Sequence, residues 1–248
     1  LGVPIQHLCH DLVPAALDIH LQKMRDSMKS GSLIAFCLLT ACAFIQPLAA
    51  DDYTLESVES LPKDLPKEIS SALSSKGTQL VGPDGAVCDL WLVKSVVSKE
   101  GFKPDLRVKY PMPVGALVGV LEVKDGPEFT DFRDQVILPG LYTMRYGQQP
   151  QDGNHVGTSE LRDFLLALPI QDDTSSETLD DEDELQEISA EAAGSAHPAI
   201  FALLPPEKQD EKATLTHEDN HDFWILQTNA GEETPIPLRL VVIGIGEE

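Results

Sequence analysis

The chain has little with which to cross-link itself. Of its four cysteines, Cys9, Cys37 and Cys42 fall before residue 50, and Cys88 stands alone beyond it. A lone thiol forms no internal disulfide, so stability beyond residue 50 must come from packing. Cys88 alternates with Leu90 and Leu92, the setting of a buried small hydrophobe and not of a nucleophile. Positive charge is also scarce: 18 Lys and Arg stand against 41 Asp and Glu, a formal net charge of −23. Such a surface repels nucleic acid and anionic lipid, so nucleic acid is not expected as a partner and anionic lipid is a poor one. No apolar run approaches the roughly 20 residues that a membrane-spanning helix needs. The chain has no C-x-x-C pair and no G-x-S-x-G nucleophile elbow. Ile243-Gly244-Ile245-Gly246 lacks the following helix that a phosphate loop requires.

The longest apolar run, Leu33 to Ile45, follows Met28-Lys29 and precedes Gln46-Pro47-Leu48-Ala49-Ala50. A charged start, a short apolar core and small residues at the end have the layout of a secretory signal, read here as residues 28–50 with cleavage after Ala50. Residues 1–27 then read as an upstream extension or a long n-region. The runner-up is a lipoprotein, since Leu39-Thr40-Ala41-Cys42 has the form of a lipobox. Either way the expectation is an exported protein, periplasmic or extracellular. Beyond Ala50, Lys and Arg fall to 15 and Asp and Glu to 38, so the charge stays at −23. Residues 51–248 suffice for one core and predict a single β-rich domain.

Period-2 alternation supplies most of the elements. Thr78–Val81 and Ala86–Ser95, joined by Gly82-Pro83-Asp84-Gly85, predict a hairpin, with the second strand apolar on both faces as a central strand is. Further strands are expected at Leu106–Tyr110, Ala116–Val123, Gln135–Leu138, Leu141–Gly147, Ala199–Leu204, Asp222–Asn229 and Leu238–Ile245, and Arg162–Leu168 is a further apolar run, while Lys67–Ser75 predicts one short helix. Tyr142, Met144 and Tyr146 share a face expected to be the core face; Arg145 lies on the other and points outward. Eight to ten short strands with minor helix predict an all-β fold. The expected architecture is an antiparallel two-layer β-sandwich, with a β-barrel as runner-up.

The string Tyr142-Thr-Met-Arg-Tyr-Gly-Gln-Gln-Pro-Gln-Asp-Gly-Asn-His-Val-Gly-Thr-Ser159, with Arg162-Asp-Phe-Leu-Leu166 and Ser195-Ala-His-Pro-Ala199, resembles an uncharacterised family of secreted bacterial proteins of planctomycete type. The resemblance runs from about Val87 to the C-terminus and is densest between Asp131 and Leu168. It implies a signal peptide and a compact extracytoplasmic domain, and it supplies no catalytic residues. The chain departs from the pattern in the acidic segment after Ile170.

Asp172 to Glu191 holds ten acidic residues and no basic one. Like charge at this density predicts a solvated insertion near 172–191, carrying an amphipathic helix over Asp181–Ala193 that Gly194 stops. No EF-hand spacing accompanies it.

Two groups of residues carry possible chemistry. His217-Glu218-Asp219-Asn220-His221 formally matches H-E-x-x-H, but Asp219 and Asn220 are poor helix formers and a β-type run begins at Phe223. A polar loop with two exposed histidines is the better expectation. The stronger candidate is Arg145, Asp152, Asn154, His155 and Asp163, joined by His197 from a later segment. The 147–159 loop is rich in turn formers, and its residues suit ligand binding or local turn capping. The reading is a non-enzymatic module that binds an extracytoplasmic ligand or protein through this loop, with no cofactor predicted. The alternative is a metal-dependent enzyme or metal-binding protein, with a divalent metal held by His155, His197 and Asp152.

Overall fold

The computed structural model describes residues 53–150, 162–208 and 212–246. Among them are ten strands and two helices, arranged as two antiparallel sheets packed face to face. The larger sheet is a seven-stranded meander, each strand pairing with the one before it: β1 (Thr54–Val58), β2 (Leu73–Gly82), β3 (Gly85–Val93), β4 (Leu117–Val123), β5 (Gly140–Gln148), β6 (Asp163–Pro169) and β7 (Ile200–Ala202). The smaller has β9 (Phe223–Ala230) between β8 (Thr214–Glu218) and β10 (Ile236–Ile243). A bridge between Leu203 and Leu240 joins the two sheets at one corner. The rings of Tyr53 and Trp224 meet at 5.2 Å. The fold is the expected all-β sandwich and not a closed barrel.

Alternation dictates the layers. Cys88 and Leu90 of β3, Leu121 and Val123 of β4, Tyr142, Met144 and Tyr146 of β5, and Leu165 and Ala167 of β6 turn inward to meet Leu226, Leu238 and Leu240 of the small sheet. The opposite face of the large sheet is covered as well. Helix α1 (Lys67–Ala72) lays Ile69 against Trp91, Val93 and Val120. Helix α2 (Glu182–Ala193) lays Leu185 against Leu166 and Leu168. A bulge between Leu117 and Gly119 turns Leu117 to the outer cluster and Val118 to the inner one. With both faces roofed, β3 to β6 read as nearly continuous apolar strands.

Helix α2 forms where the sequence predicts it. The Asp181 carboxylate accepts from the Asp183 and Glu184 N–H groups, and Gly194 closes the helix in the left-handed conformation at φ 57°. These are the standard N- and C-caps. The acidic run, however, is not a solvated insertion. Asp173 and Leu185 are buried, and the segment lies across the outer face of β5 and β6.

Several expected elements differ. The helix at Lys67 stops at Ala72, because β2 begins at once with Leu73. Leu106–Tyr110 is irregular: the Asp105 carboxylate bonds the Arg107 and Val108 N–H groups and curls the chain into a turn. Gln135–Leu138 contributes only an isolated bridge, Thr130 to Val136. Two short strands, β1 and β8, occur where no apolar alternation marks them.

Candidate functional site

Arg145 lies on the outer face of β5, yet it is only 1% exposed. All five of its N–H donors are used. Nε and Nη2 hold the Asp173 carboxylate at 2.5 and 2.7 Å. Nη1 donates to the carbonyls of Gly115 (2.6 Å) and Glu177 (2.8 Å), and Nη2 also to that of Ser175 (2.7 Å). The Thr143 hydroxyl donates to the same Asp173 oxygen as Nε. A guanidinium this fully engaged has nothing left for a ligand. Its role is to clamp the acidic segment to the sheet, which corrects its reading as an outward-pointing ligand group.

Asp163 begins β6 on the inner face and is likewise 1% exposed. It accepts from the Tyr146 hydroxyl and from the Lys109 N–H at 2.6 Å. Burial raises its carboxyl above the usual carboxylate range, and the bonds from Tyr146, Lys109 and Tyr110 only partly oppose this. Burial likewise raises the Tyr146 phenol, and the bond to Asp163 raises it further. Gln148 donates to the Tyr146 oxygen at 2.9 Å. Next to this pair, the Tyr110 hydroxyl donates to the Leu204 carbonyl (2.8 Å) and accepts from the Arg239 N–H (3.1 Å). The network fastens residues 105–110 across the end of the sandwich. Tyr146 and Asp163 are sealed in, so neither meets a substrate from solvent.

His197 is exposed on the connection between α2 and β7. The Ala167 N–H donates to the Ala199 carbonyl, which puts His197 near the far end of β6. Asp163 opens that strand and Pro169 closes it, six residues on; at the rise of a strand this is roughly 20 Å. Asp163 and His197 therefore do not share one site, and Arg145 is on the opposite sheet face from Asp163. Asp152, Asn154 and His155 lie outside the described residues.

The end of the sandwich bearing Asp163 has a distinctive rim. The Arg162 N–H donates to the Arg107 carbonyl (3.1 Å), and the Arg162 guanidinium donates through Nε to the Gln149 carbonyl (2.9 Å). Lys109 Nζ donates to the Asp105 carbonyl (2.5 Å). The Val108 and Arg107 N–H groups hold the Asp105 carboxyl below its usual range. Arg107, Lys109 and Arg162 thus gather at the stems of the β5–β6 connection, in a chain whose net charge is −23. Sequence reasoning passed over all three. Their signal was the density of Lys99, Lys103, Arg107 and Lys109 in an otherwise acidic chain.

The H-E-x-x-H match is a β-hairpin. His217 of β8 pairs with Trp224 of β9, one position before the ladder ends, and stacks on that ring at 4.6 Å. Its ring nitrogens face Asp222 at 2.7 Å and Asp219 at 3.1 Å. His221, in the turn, stacks on Phe223, and its Nδ1 faces Glu218 at 2.7 Å. The bond from His221 holds the Glu218 carboxyl low. The metalloprotease pattern places both imidazoles on one helix face with the glutamate free to activate water, and a hairpin provides neither.

Between the sheets lies an enclosed void of about 20 Å³, lined by Leu80, Cys88, Leu121, Met144, Phe201 and Leu240 among others. It is apolar and no larger than one water, so it stays dry and holds no ligand. Among the described residues no group of three or more His, Cys, Asp or Glu side chains is arranged to hold a metal. Comparison with protein-family models, with curated proteins and with solved structures finds no match.

Proposed function

We propose that this chain is an exported, non-enzymatic binding module, and that it takes an anionic extracytoplasmic ligand at the end of the sandwich where the β5–β6 connection leaves. The observation that carries this reading is the cationic rim of Arg107, Lys109 and Arg162 in a protein of net charge −23. In so acidic a molecule a local group of cations is a place where an anion meets attraction, since only charges within about 8 Å act strongly at physiological salt. Behind the rim, the Asp163–Tyr146–Tyr110 network provides a rigid base, which keeps the ordering cost of binding low. Export is supported by the layout of residues 28–50 and by the resemblance to secreted proteins. Among the described residues Cys88 is the single cysteine and it is buried, which also suits an oxidising compartment.

The test compares the purified protein with Arg162→Glu and His155→Ala variants. Thermal melts with a panel of small polyanions are set beside elemental analysis for divalent metal. The reading expects stabilisation by at least one polyanion that is lost in Arg162→Glu and kept in His155→Ala. Stoichiometric metal in the wild type, lost in His155→Ala, would replace this reading with the metal-dependent one.

A further inference from the structure

Leu106 is 90% exposed, more than any other exposed large hydrophobic residue of the described chain. A lone exposed leucine on a surface means nothing. This one is held out by an ordered turn. The Asp105 carboxylate accepts from the Arg107 and Val108 N–H groups, both at 2.7 Å, and the Asp105 N–H donates to the Val108 carbonyl at 3.0 Å. Val108 and Tyr110 anchor the base in the interior. Lys103, Arg107 and Lys109 stand on either side of Leu106 in the sequence, while the carboxylate of Asp105 is turned into the loop's own backbone. The result is a preformed apolar knob with cationic shoulders.

A complementary surface exists on the same molecule. An open groove of about 490 Å³ runs beside α2, with Ala190, Gly194, Ser195 and Pro198 as small floor residues and Glu187 and Glu191 on its lining. A side chain at Gly194 would meet nothing within 4 Å, so the floor is clear. Val136, 45% exposed, follows Gln135, whose side chain bonds the Pro198 carbonyl. The two glutamates are costly where they stand. They are like charges one turn apart, and Glu191 lies in the last turn, at the negative end of the helix dipole, with no basic residue there to compensate. Nothing within α2 offsets that cost; a cation arriving from outside does.

We propose that this chain binds a second copy of itself head to tail, the Leu106 knob of one copy seating in the acid-lined groove beside α2 of the next. The knob's loop is tied to the start of β6 through Arg162 and Asp163, and the groove lies at its other end, near Ala167 and Ala199. About 13 Å of strand separates residues 163 and 167. One molecule does not reach its own groove, and with knob and groove at opposite ends of β6 the proposed contact is heterologous, of the kind that propagates into a ring or an open filament. Repulsion between copies of net charge −23 is confined by salt to within about 8 Å at physiological ionic strength, which leaves the local charges in control. The knob shares Arg107 and Lys109 with the anion site, and Leu106→Asp tells the two apart because it leaves those cations and Arg162 in place.

Sedimentation velocity over a wide concentration range at physiological salt tests it. Wild-type protein is expected to grow in size with concentration. Leu106→Asp and the double variant Glu187→Lys, Glu191→Lys are each expected to stay monomeric, while an equimolar mixture of the two forms a complex that stops at a dimer, since one carries only the groove and the other only the knob. Lys103→Glu, an exposed change, replaces Leu106→Asp if that variant misfolds. A wild type that stays monomeric at every concentration overturns the proposal. So does a mixture that fails to pair, or an assembly that neither variant weakens.

Discussion

Removing either partner of the Arg145–Asp173 pair should cost a large part of the protein's stability. Asp173→Ala leaves a guanidinium buried at 1% exposure with only the carbonyls of Gly115, Ser175 and Glu177 around it. Breaking a buried pair in this way costs about 3–5 kcal/mol. Arg145→Ala strands the Asp173 carboxylate with the Thr143 hydroxyl and deprives three carbonyls of their donors, so it belongs at the upper end of that range. A domain's whole margin is about 5–15 kcal/mol. The double variant Arg145→Met, Asp173→Leu strands no charge. Its remaining cost is the unmet carbonyls, of which the Gly115 oxygen keeps the Leu179 N–H at 3.2 Å and the other two lie near enough to the surface for water. It should lose about 1–3 kcal/mol, less than either single variant. Urea melts of the three proteins measure this directly. A mild Asp173→Ala, below about 1 kcal/mol, is what surface substitutions give; it would mean that the acidic segment is solvated and that the clamp does not hold it.

Other perturbations probe the same structure. Burial raises the Asp163 carboxyl, so the unfolded chain ionises first as pH rises through about 3.9, and native stability falls until the folded group also ionises. Asp163→Asn should therefore gain on the wild type with rising pH from about 4 and then level off; a difference that shrinks in urea melts across that range would show the bonds from Tyr146 and Lys109 outweighing burial. Burial pushes the Cys88 thiol up to about 12, so a thiol reagent should label it only as fast as the protein unfolds, and rapid labelling of native protein would contradict its place between the sheets. Gly115→Ala should be among the most destabilising single changes, because φ is +81° there and a Cβ would stand 1.8 Å from the Leu179 oxygen; an unshifted melting temperature would dispute the close packing of the acidic segment on the turn before β4.

What was legible followed from local pattern. Tyr142, Met144 and Tyr146 announced the core face of β5 by alternation alone, and Asp181 and Gly194 announced α2 by cap chemistry. β1 and β8 escaped notice because each lies at the edge of its sheet, mostly exposed, and takes its form from one neighbouring ladder. Leu106–Tyr110 alternates like a strand, but Asp105 spends its carboxylate on the backbone and prevents one. Alternation gives Arg145 the correct face and says nothing of its surroundings. Outward means solvent only when the outer face is bare, and no local signal singles out Asp173 among ten acidic residues as the partner of a residue 28 positions away. The cationic rim was missed for a related reason: Arg107 and Lys109 meet Arg162 only through the fold.

The most direct measurement of the functional reading is a backbone NMR titration of the purified protein with citrate, a small trivalent anion, repeated on Arg162→Glu. The account predicts saturable shifts confined to residues 99–110 and 148–163, absent in the variant. Shifts that never saturate, that scatter over the surface, or that survive unchanged in Arg162→Glu would contradict an anion-binding end.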